Sequence, residues 1–173
     1  MSGITDYHHR EVVIGAKIRS LLSSIGPSTY DKISPKIEYW IEYAFTDQSV
    51  TTEDLVEQVS SVAWDHNSPG EVIAQFLKEF RDAPHRSEQA RSFVNELCSR
   101  VLRWFAAASA EDIPFRALAP PVVETREAIS FRKAASFVGH LIKYGMLGHE
   151  LVRRHLVKPL ITGNQSLCRW KQG

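Results

Sequence analysis

A few side chains have the chemistry that catalysis or metal binding requires, and the histidines are considered first. His140, His149 and His155 are close in sequence, as zinc ligands often are. His140 and His149 fall on different predicted helices. His155 follows His149 by six residues, a spacing that puts the two on different faces of one helix. The spacing therefore predicts no zinc site, and His155 is predicted to be a hydrogen-bonded core residue.

The nucleophile and acid–base candidates are equally weak. Cys98 lies on an apolar helical face beside Leu97 and Val101, which is typical of a buried free thiol. Glu38 and Glu42 share a helical face, but nothing indicates the burial that would raise the pKa of a carboxyl group. Phosphate-binding glycine loops and the motifs of serine hydrolases and zinc peptidases do not occur. We therefore expect a protein that is not an enzyme and that needs no cofactor.

Positive charge is the remaining chemical signal. Residues 126–173 carry nine Lys/Arg against two Asp/Glu, whereas residues 1–125 carry 12 against 18, so the net charge of +1 hides an acidic front and a basic rear. Such asymmetry indicates contact with a partner or nucleic acid, or attraction between the two ends. The competing interpretation is a solvated helical face, with Glu150 and Arg154 as an i,i+4 ion pair. The candidate partner or RNA surface comprises Arg132, Lys133, Lys143, Arg153, Arg154 and Lys158.

Length and composition are those of one folded domain. At 173 residues and 43% hydrophobic content, the chain can bury a core and is too apolar to be disordered. Its two cysteines form no CxxC pair, and its N-terminus lacks the apolar run of a signal peptide. No run of ~18 apolar residues occurs. We therefore expect a cytoplasmic protein that does not engage a membrane.

The spacing of apolar residues predicts an all-α chain. Apolar side chains recur at three- and four-residue steps, and no stretch has the pattern of a strand. Ser34, Ser68 and Ser87 are predicted N-caps, and Glu71 completes a capping box at Ser68. Thr51 or Thr52 is predicted to start another helix, with Asp54 three residues after Thr51 in a similar box. Residues 109–125, with three prolines, are predicted to form a loop. The predicted helices cover residues 11–25, 34–45, 52–64, 68–80, 88–108, 129–144 and 148–161.

Six of these helices fall into three pairs, each spanning roughly 30–40 residues, which is close to the period of a HEAT repeat. The pairs are 34–45 with 52–64, 68–80 with 88–108, and 129–144 with 148–161. The predicted architecture is antiparallel hairpins stacked as a short HEAT-like solenoid, and the alternative is a closed helical bundle. The expected organisation is a flexible N-terminus (1–10), a single all-α helical-repeat domain (11–162) and a C-terminal tail (163–173).

The last hairpin has the clearest amphipathic pattern. Gly145 is predicted to end its first helix in the left-handed conformation, and Leu147 is placed to pack back on the hairpin. The predicted apolar face of the first helix comprises Phe131, Ala134, Ala135, Val138, Leu141 and Ile142. That of the second helix comprises Leu151, Val152, His155, Leu156 and Leu160.

The run Phe137-Val138-Gly139-His140-Leu141-Ile142-Lys143-Tyr144-Gly145-Met146-Leu147, with the amphipathic run to Leu160, resembles one helical repeat of the middle domain of translation initiation factor 4G. That family reads Phe-Ile-Gly-x-Leu-(Phe/Tyr)-Lys-x-x-Met-Leu there. The resemblance covers about 30 of 173 residues. The basic cluster and Gly-Asn that often precede the phenylalanine in the family are replaced here by Arg-Lys-Ala-Ala-Ser. The chain has room for three hairpins, fewer than the family domain has.

The resemblance implies HEAT-type hairpins that act as a scaffold, dock DEAD-box RNA helicases and in some members contact RNA. It implies that Gly139 allows close approach of a helix and that Lys143 is an exposed base. It also implies core positions for Phe137, Val138, Leu141 and Met146.

We therefore expect a non-enzymatic interaction scaffold that binds a protein partner such as a DEAD-box RNA helicase, with RNA as a further ligand. The alternative function is homo-oligomerisation of a helical bundle, in which the acidic front of one copy meets the basic rear of another.

Overall fold

A computed structural model of the chain describes residues 3–46, 50–65, 68–110 and 126–157. In these ranges the ordered elements are helical and none is a strand, which confirms the predicted all-α class. No helix there is long and apolar enough to cross a membrane. The α-helices are α1 (Gly3–Ser24), α2 (Tyr30–Thr46), α3 (Thr52–Val59), α4 (Gly70–Asp82), α5 (Glu88–Ala110), α6 (Arg126–Lys143) and α7 (His149–Val152). A 3₁₀ turn (Ser60–Ala63) extends α3, and a π-type turn (Arg153–Val157) extends α7.

Two of the predicted helix starts are confirmed. The hydroxyl of Thr51 accepts a hydrogen bond from the backbone N–H of Asp54 at 3.1 Å, at the start of α3. The hydroxyl of Ser87 accepts one from the N–H of Ala90 at 3.2 Å, at the start of α5. Each cap satisfies an amide that has no partner inside the helix, so the local sequence is sufficient to fix these two ends.

The predicted start of α2 at Ser34 is wrong. The carbonyl of Thr29 already accepts the N–H of Ile33 at 2.9 Å, so the helix begins at Tyr30. Ser34 is consequently buried within the helix, and Pro35 lies inside it rather than at its first position. Pro35 has no N–H, so this helix continues past one missing intrahelical hydrogen bond.

The predicted capping box at Ser68 does not form. α4 begins at Gly70, and the Ser68 hydroxyl is buried without a hydrogen-bond partner. Glu71, which was predicted to reach back to Ser68, instead forms an ion pair with Lys143 of α6. A contact between distant parts of the chain thus replaces the local one.

α1 begins at Gly3 and not at the predicted Glu11. It therefore includes most of the segment that the sequence predicts to be a flexible N-terminus. After the first turn of a helix has formed, each added residue gains one hydrogen bond and fixes only its own backbone dihedrals. A helix can therefore extend beyond the segment whose apolar side chains are buried. The C-terminal tail (163–173) and residues 111–125 of the predicted loop lie outside the described residues.

α5 is the centre of the packing. It contacts α2, α3, α4 and α6, as expected of a helix whose apolar face is wide. α1, α3, α5 and α6 pack in succession, each against the next, and α4 packs on α5 and α6. The prediction that helix 34–45 (α2) pairs with helix 52–64 (α3) is wrong. α2 packs mainly against α1, and α1 also packs against α3. The buried side chains of α5 are Ala90, Phe93, Val94, Leu97, Cys98, Val101, Leu102 and Ala108.

The hairpin of α6 and α7 has the predicted turn but a narrower apolar face. Gly145 has φ of 65°, and Leu147 is buried as expected. The core positions implied by the resemblance, Phe137, Val138, Leu141 and Met146, are all buried. Two residues assigned to the apolar faces are exposed instead, namely Ile142 at 44% and Leu151 at 37%.

Two helical glycines have opposite surroundings. Gly15 of α1 lies directly against Gln58 of α3, and a Cβ placed there would clash with the Gln58 Cβ and sit 2.9 Å from its Cγ. Gly139 of α6 is exposed, and a Cβ there would meet nothing within 4 Å. No helix therefore approaches Gly139 closely, contrary to the expectation. Among the described helices, the close approach at a glycine is that of α3 to Gly15.

Alanine substitutions at these glycines should change the free energy of unfolding in opposite directions. Gly139→Ala should raise it by ~0.5–1 kcal/mol, because alanine loses less backbone entropy on forming a helix. Gly15→Ala should lower it by ~1–3 kcal/mol, because α1 and α3 must separate to admit the methyl group. Urea unfolding followed by circular dichroism measures both changes. A Gly15→Ala variant as stable as the parent would contradict the close α1–α3 contact.

Candidate functional site

The basic hairpin, α6 and α7 with the π-type turn that follows, carries five of the six predicted surface bases. Arg132, Lys133, Lys143, Arg153 and Arg154 are all exposed, and Lys143 and Arg153 form ion pairs with carboxylates. The sixth, Lys158, lies outside the described residues. The structure therefore brings these five bases onto one hairpin.

Lys143 is tied to a distant part of the chain. Its Nζ lies 2.7 Å from the Oε1 of Glu71, at the start of α4. The hydrogen bond with Lys143 holds the pKa of the Glu71 carboxyl below its usual value, and the same bond raises the pKa of Lys143. The ammonium group also lies 5.4 Å from the centroid of the Tyr144 ring. Lys143 is exposed, as the resemblance implied, but it links α6 to α4.

Glu150 is bound by Arg153 and not by the residue predicted from sequence. The Nε and Nη2 of Arg153 each donate a hydrogen bond of 2.9 Å to a Glu150 carboxylate oxygen. Arg154 was expected to form this pair because it lies four residues after Glu150. Arg153 lies three residues after Glu150, a spacing that also makes two side chains neighbours on a helix.

Apolar side chains are exposed on the same hairpin. Ile142 precedes Lys143, the last residue of α6, and Leu151 lies in α7, two residues before Arg153. A protein partner that covers such aliphatic groups gains free energy, because they leave water. The hairpin thus offers both apolar area and positive charge.

The paired carboxylates of the acidic front hold a buried cation. The guanidinium of Arg86 binds Glu38, and its Nη1 lies 3.9 Å from the Oε1 of Glu42. Ser87 donates a hydrogen bond of 2.9 Å to the other Glu42 oxygen. Arg86 has only 8% of its side chain exposed and lies over the ring of Phe80, 4.4 Å from its centroid. These contacts join α2 to the turn between α4 and α5, which is a structural role.

An exposed aromatic cluster on α2 was not among the predicted site residues. The rings of Tyr39 and Tyr43 stack with centroids 5.9 Å apart, and Trp40 meets both edge-on. Tyr39 is 61% exposed. The sequence signal was available, because Tyr39 and Tyr43 are four residues apart and therefore share a helical face.

Metal and nucleophile chemistry find no support among the described residues. No three His, Cys, Asp or Glu side chains in that part of the chain are grouped as metal ligands. Cys98 is buried in the core, and this burial raises the pKa of its thiol to about 12. The reactive thiolate is therefore scarce at neutral pH.

Comparison of the chain with models of known protein families, with curated proteins and with solved structures found no match. The resemblance to the middle domain of initiation factor 4G accordingly stays an expectation based on residues 137–160.

The burial of Cys98 predicts slow thiol chemistry. A Cys168→Ser variant retains Cys98 as its single cysteine. Its reaction with a chromogenic disulfide at pH 8 should be on the order of 10³-fold slower in the native state than in urea, since only an accessible thiolate reacts. Stopped-flow absorbance measures both rates. Rapid labelling of the native variant would show that Cys98 is accessible and would reopen a chemical role for it.

Proposed function

We propose that the protein is a non-enzymatic interaction scaffold that presents the basic hairpin to a protein partner. The observation that carries the proposal is the exposure of Ile142 and Leu151 on a hairpin that also displays Lys133 and Arg154. The packing of α4 on α6 supports a HEAT-like stack, because these are the first helices of two successive predicted hairpins, and in such a stack one helix of each hairpin packs on its counterpart in the next.

The chemistry of the hairpin defines the partner. Apolar side chains at the centre of an interface supply most of its affinity, and surrounding charges favour a partner of opposite sign. The partner should therefore present an apolar patch bordered by carboxylates. The resemblance of residues 137–160 to the initiation-factor repeat makes a DEAD-box RNA helicase the first candidate, with RNA as a further ligand of the same scaffold.

Binding to a DEAD-box helicase is the direct test. The fluorescently labelled protein is titrated with purified helicase, with and without a nucleotide analogue, at several salt concentrations. We expect micromolar affinity that weakens as salt rises, because the hairpin cations contribute to association. An Ile142→Asp/Leu151→Asp variant should bind at least about tenfold more weakly, since it puts charges where apolar area is buried.

The matched control is Val12→Asp/Val13→Asp, which makes the same change at two exposed valines of α1. It should leave the affinity within about twofold of the parent. Such a change in binding free energy is well under the ~1 kcal/mol that marks an energetically important contact. Absence of binding at tens of micromolar in both nucleotide states would refute the helicase partner. An equal loss in the control would refute the location of the surface.

Self-association is a second candidate function, favoured by the exposed aromatic cluster of Tyr39, Trp40 and Tyr43 on α2. In a dimer this cluster could lie against the basic hairpin of a second copy, where Lys or Arg over tyrosine faces is stabilising. Light scattering should then show a dimer that dissociates as salt rises, and Tyr39→Ala/Tyr43→Ala should be monomeric at low salt. A monomer at every salt and protein concentration would exclude this function.

A further inference from the structure

A groove separate from the exposed Ile142 and Leu151 lies where α1, the 3₁₀ turn after α3 and the start of α6 come together. Its volume is about 640 Å³, within the range of roughly 300–1,000 Å³ that small-molecule sites occupy. Its walls carry two guanidinium groups, an indole, a carboxylate and hydroxyl groups. The side chains concerned are Arg19, Ser61, Trp64, Asp65, Arg126 and Ser130.

Trp64 supplies a fixed aromatic platform. Its ring lies on that of Trp104 from α5, with centroids 4.5 Å apart and planes inclined by 17°. The second indole holds the first in one orientation, so a ligand ring that stacks on Trp64 meets a surface that is already positioned. Stacking of a nucleobase on an aromatic side chain contributes ~1–3 kcal/mol and tolerates any base.

Arg19 and Arg126 bring positive charge to the groove from two different helices, α1 and α6. Arg19 donates through Nη1 to the backbone carbonyl of Gln58 at 3.4 Å, which restrains its guanidinium. A guanidinium has five N–H donors in a planar fork, so Arg19 retains donors for a phosphate oxygen. Among the described side chains that line the groove there are two guanidinium groups and one carboxylate, that of Asp65, so these side chains together carry a net positive charge.

We propose that this groove binds a nucleotide unit, with its base on Trp64 and its phosphate on Arg19 and Arg126. Ser61, Ser130 and Asp65 provide hydroxyl and carboxylate groups that hydrogen-bond the sugar or the edge of the base. The unit comes either from a free mononucleotide or from single-stranded RNA, which share this chemistry. The inference does not depend on helicase docking, because it involves different side chains and a different ligand.

Lys133 distinguishes the two sources. It lies seven residues after Arg126 on α6, hence on nearly the same face and about 10 Å further along the helix, and it is exposed. An RNA strand with one phosphate at Arg126 can bring a later phosphate to Lys133. A single mononucleotide cannot reach both.

The test uses the full chain and two probes. Adenosine monophosphate is titrated while tryptophan fluorescence is recorded, and a fluorescein-labelled uridine oligonucleotide is titrated while its anisotropy is recorded. We expect saturable quenching by the mononucleotide, and much weaker quenching by adenosine, which lacks the phosphate. Arg19→Gln/Arg126→Gln should weaken both probes at least about tenfold, since two charge-assisted contacts are lost.

The matched control, Lys17→Gln/Lys36→Gln, removes the same charge from exposed sites outside the groove and the basic hairpin and should leave both affinities within about twofold of the parent. Thermal unfolding by circular dichroism shows that each variant is folded. Lys133→Gln should weaken the oligonucleotide alone if RNA is the source. If it weakens neither probe, the groove's ligand is the free nucleotide.

Three outcomes would overturn the proposal. In the first, neither probe binds saturably at millimolar concentration. In the second, the Arg19→Gln/Arg126→Gln variant binds both probes as the parent does. In the third, adenosine or inorganic phosphate alone binds as well as the mononucleotide, so that the groove does not recognise base and phosphate together. None of these readouts changes if the helicase fails to bind the hairpin.

Discussion

The burial of α5 is the constraint on which the rest of the structure depends. This helix is long, has a broad buried apolar face and is covered by α2, α3, α4 and α6. A fully buried leucine, valine or phenylalanine contributes ~1.5–3 kcal/mol, so a helix buried on several sides dominates the stability of the domain. Because every neighbour must turn an apolar face to α5, polar and charged groups are left on the outer surfaces of those neighbours. The basic hairpin and the aromatic cluster of α2 are such surfaces.

The sequence predicts the elements well where one short segment determines them. Apolar periodicity identifies the helices, and Thr51 and Ser87 satisfy helix amides within their own turn. Prediction fails where distant groups compete. Ser68 and Glu71 form the right pattern for a capping box, but Lys143 lies 72 residues away in sequence and binds Glu71 directly. The neighbours of α2 were also mispredicted, because equal helix spacing does not specify which helices touch.

The candidate sites show the same division between local and distant information. The charge of the hairpin could be read from its composition, but the partners of Lys143 and Arg153 could not. The first depends on a tertiary contact, and the second on which of two neighbouring arginines binds Glu150. The groove gave no sequence signal at all. Arg19, Trp64 and Arg126 belong to separate elements, and only the packing of α1 and α6 around the 3₁₀ turn brings them together.

The contact between Glu71 and Lys143 makes the hairpin compete with its own domain for anions. Any carboxylate or phosphate that approaches Lys143 meets an ammonium group whose charge is already partly neutralised by a carboxylate of α4 2.7 Å away. The hairpin therefore attracts a single anion less strongly at this position, and it favours ligands that engage several of its groups at once. Attachment of α6 to α4 and selectivity at the surface are in this way two effects of one ion pair.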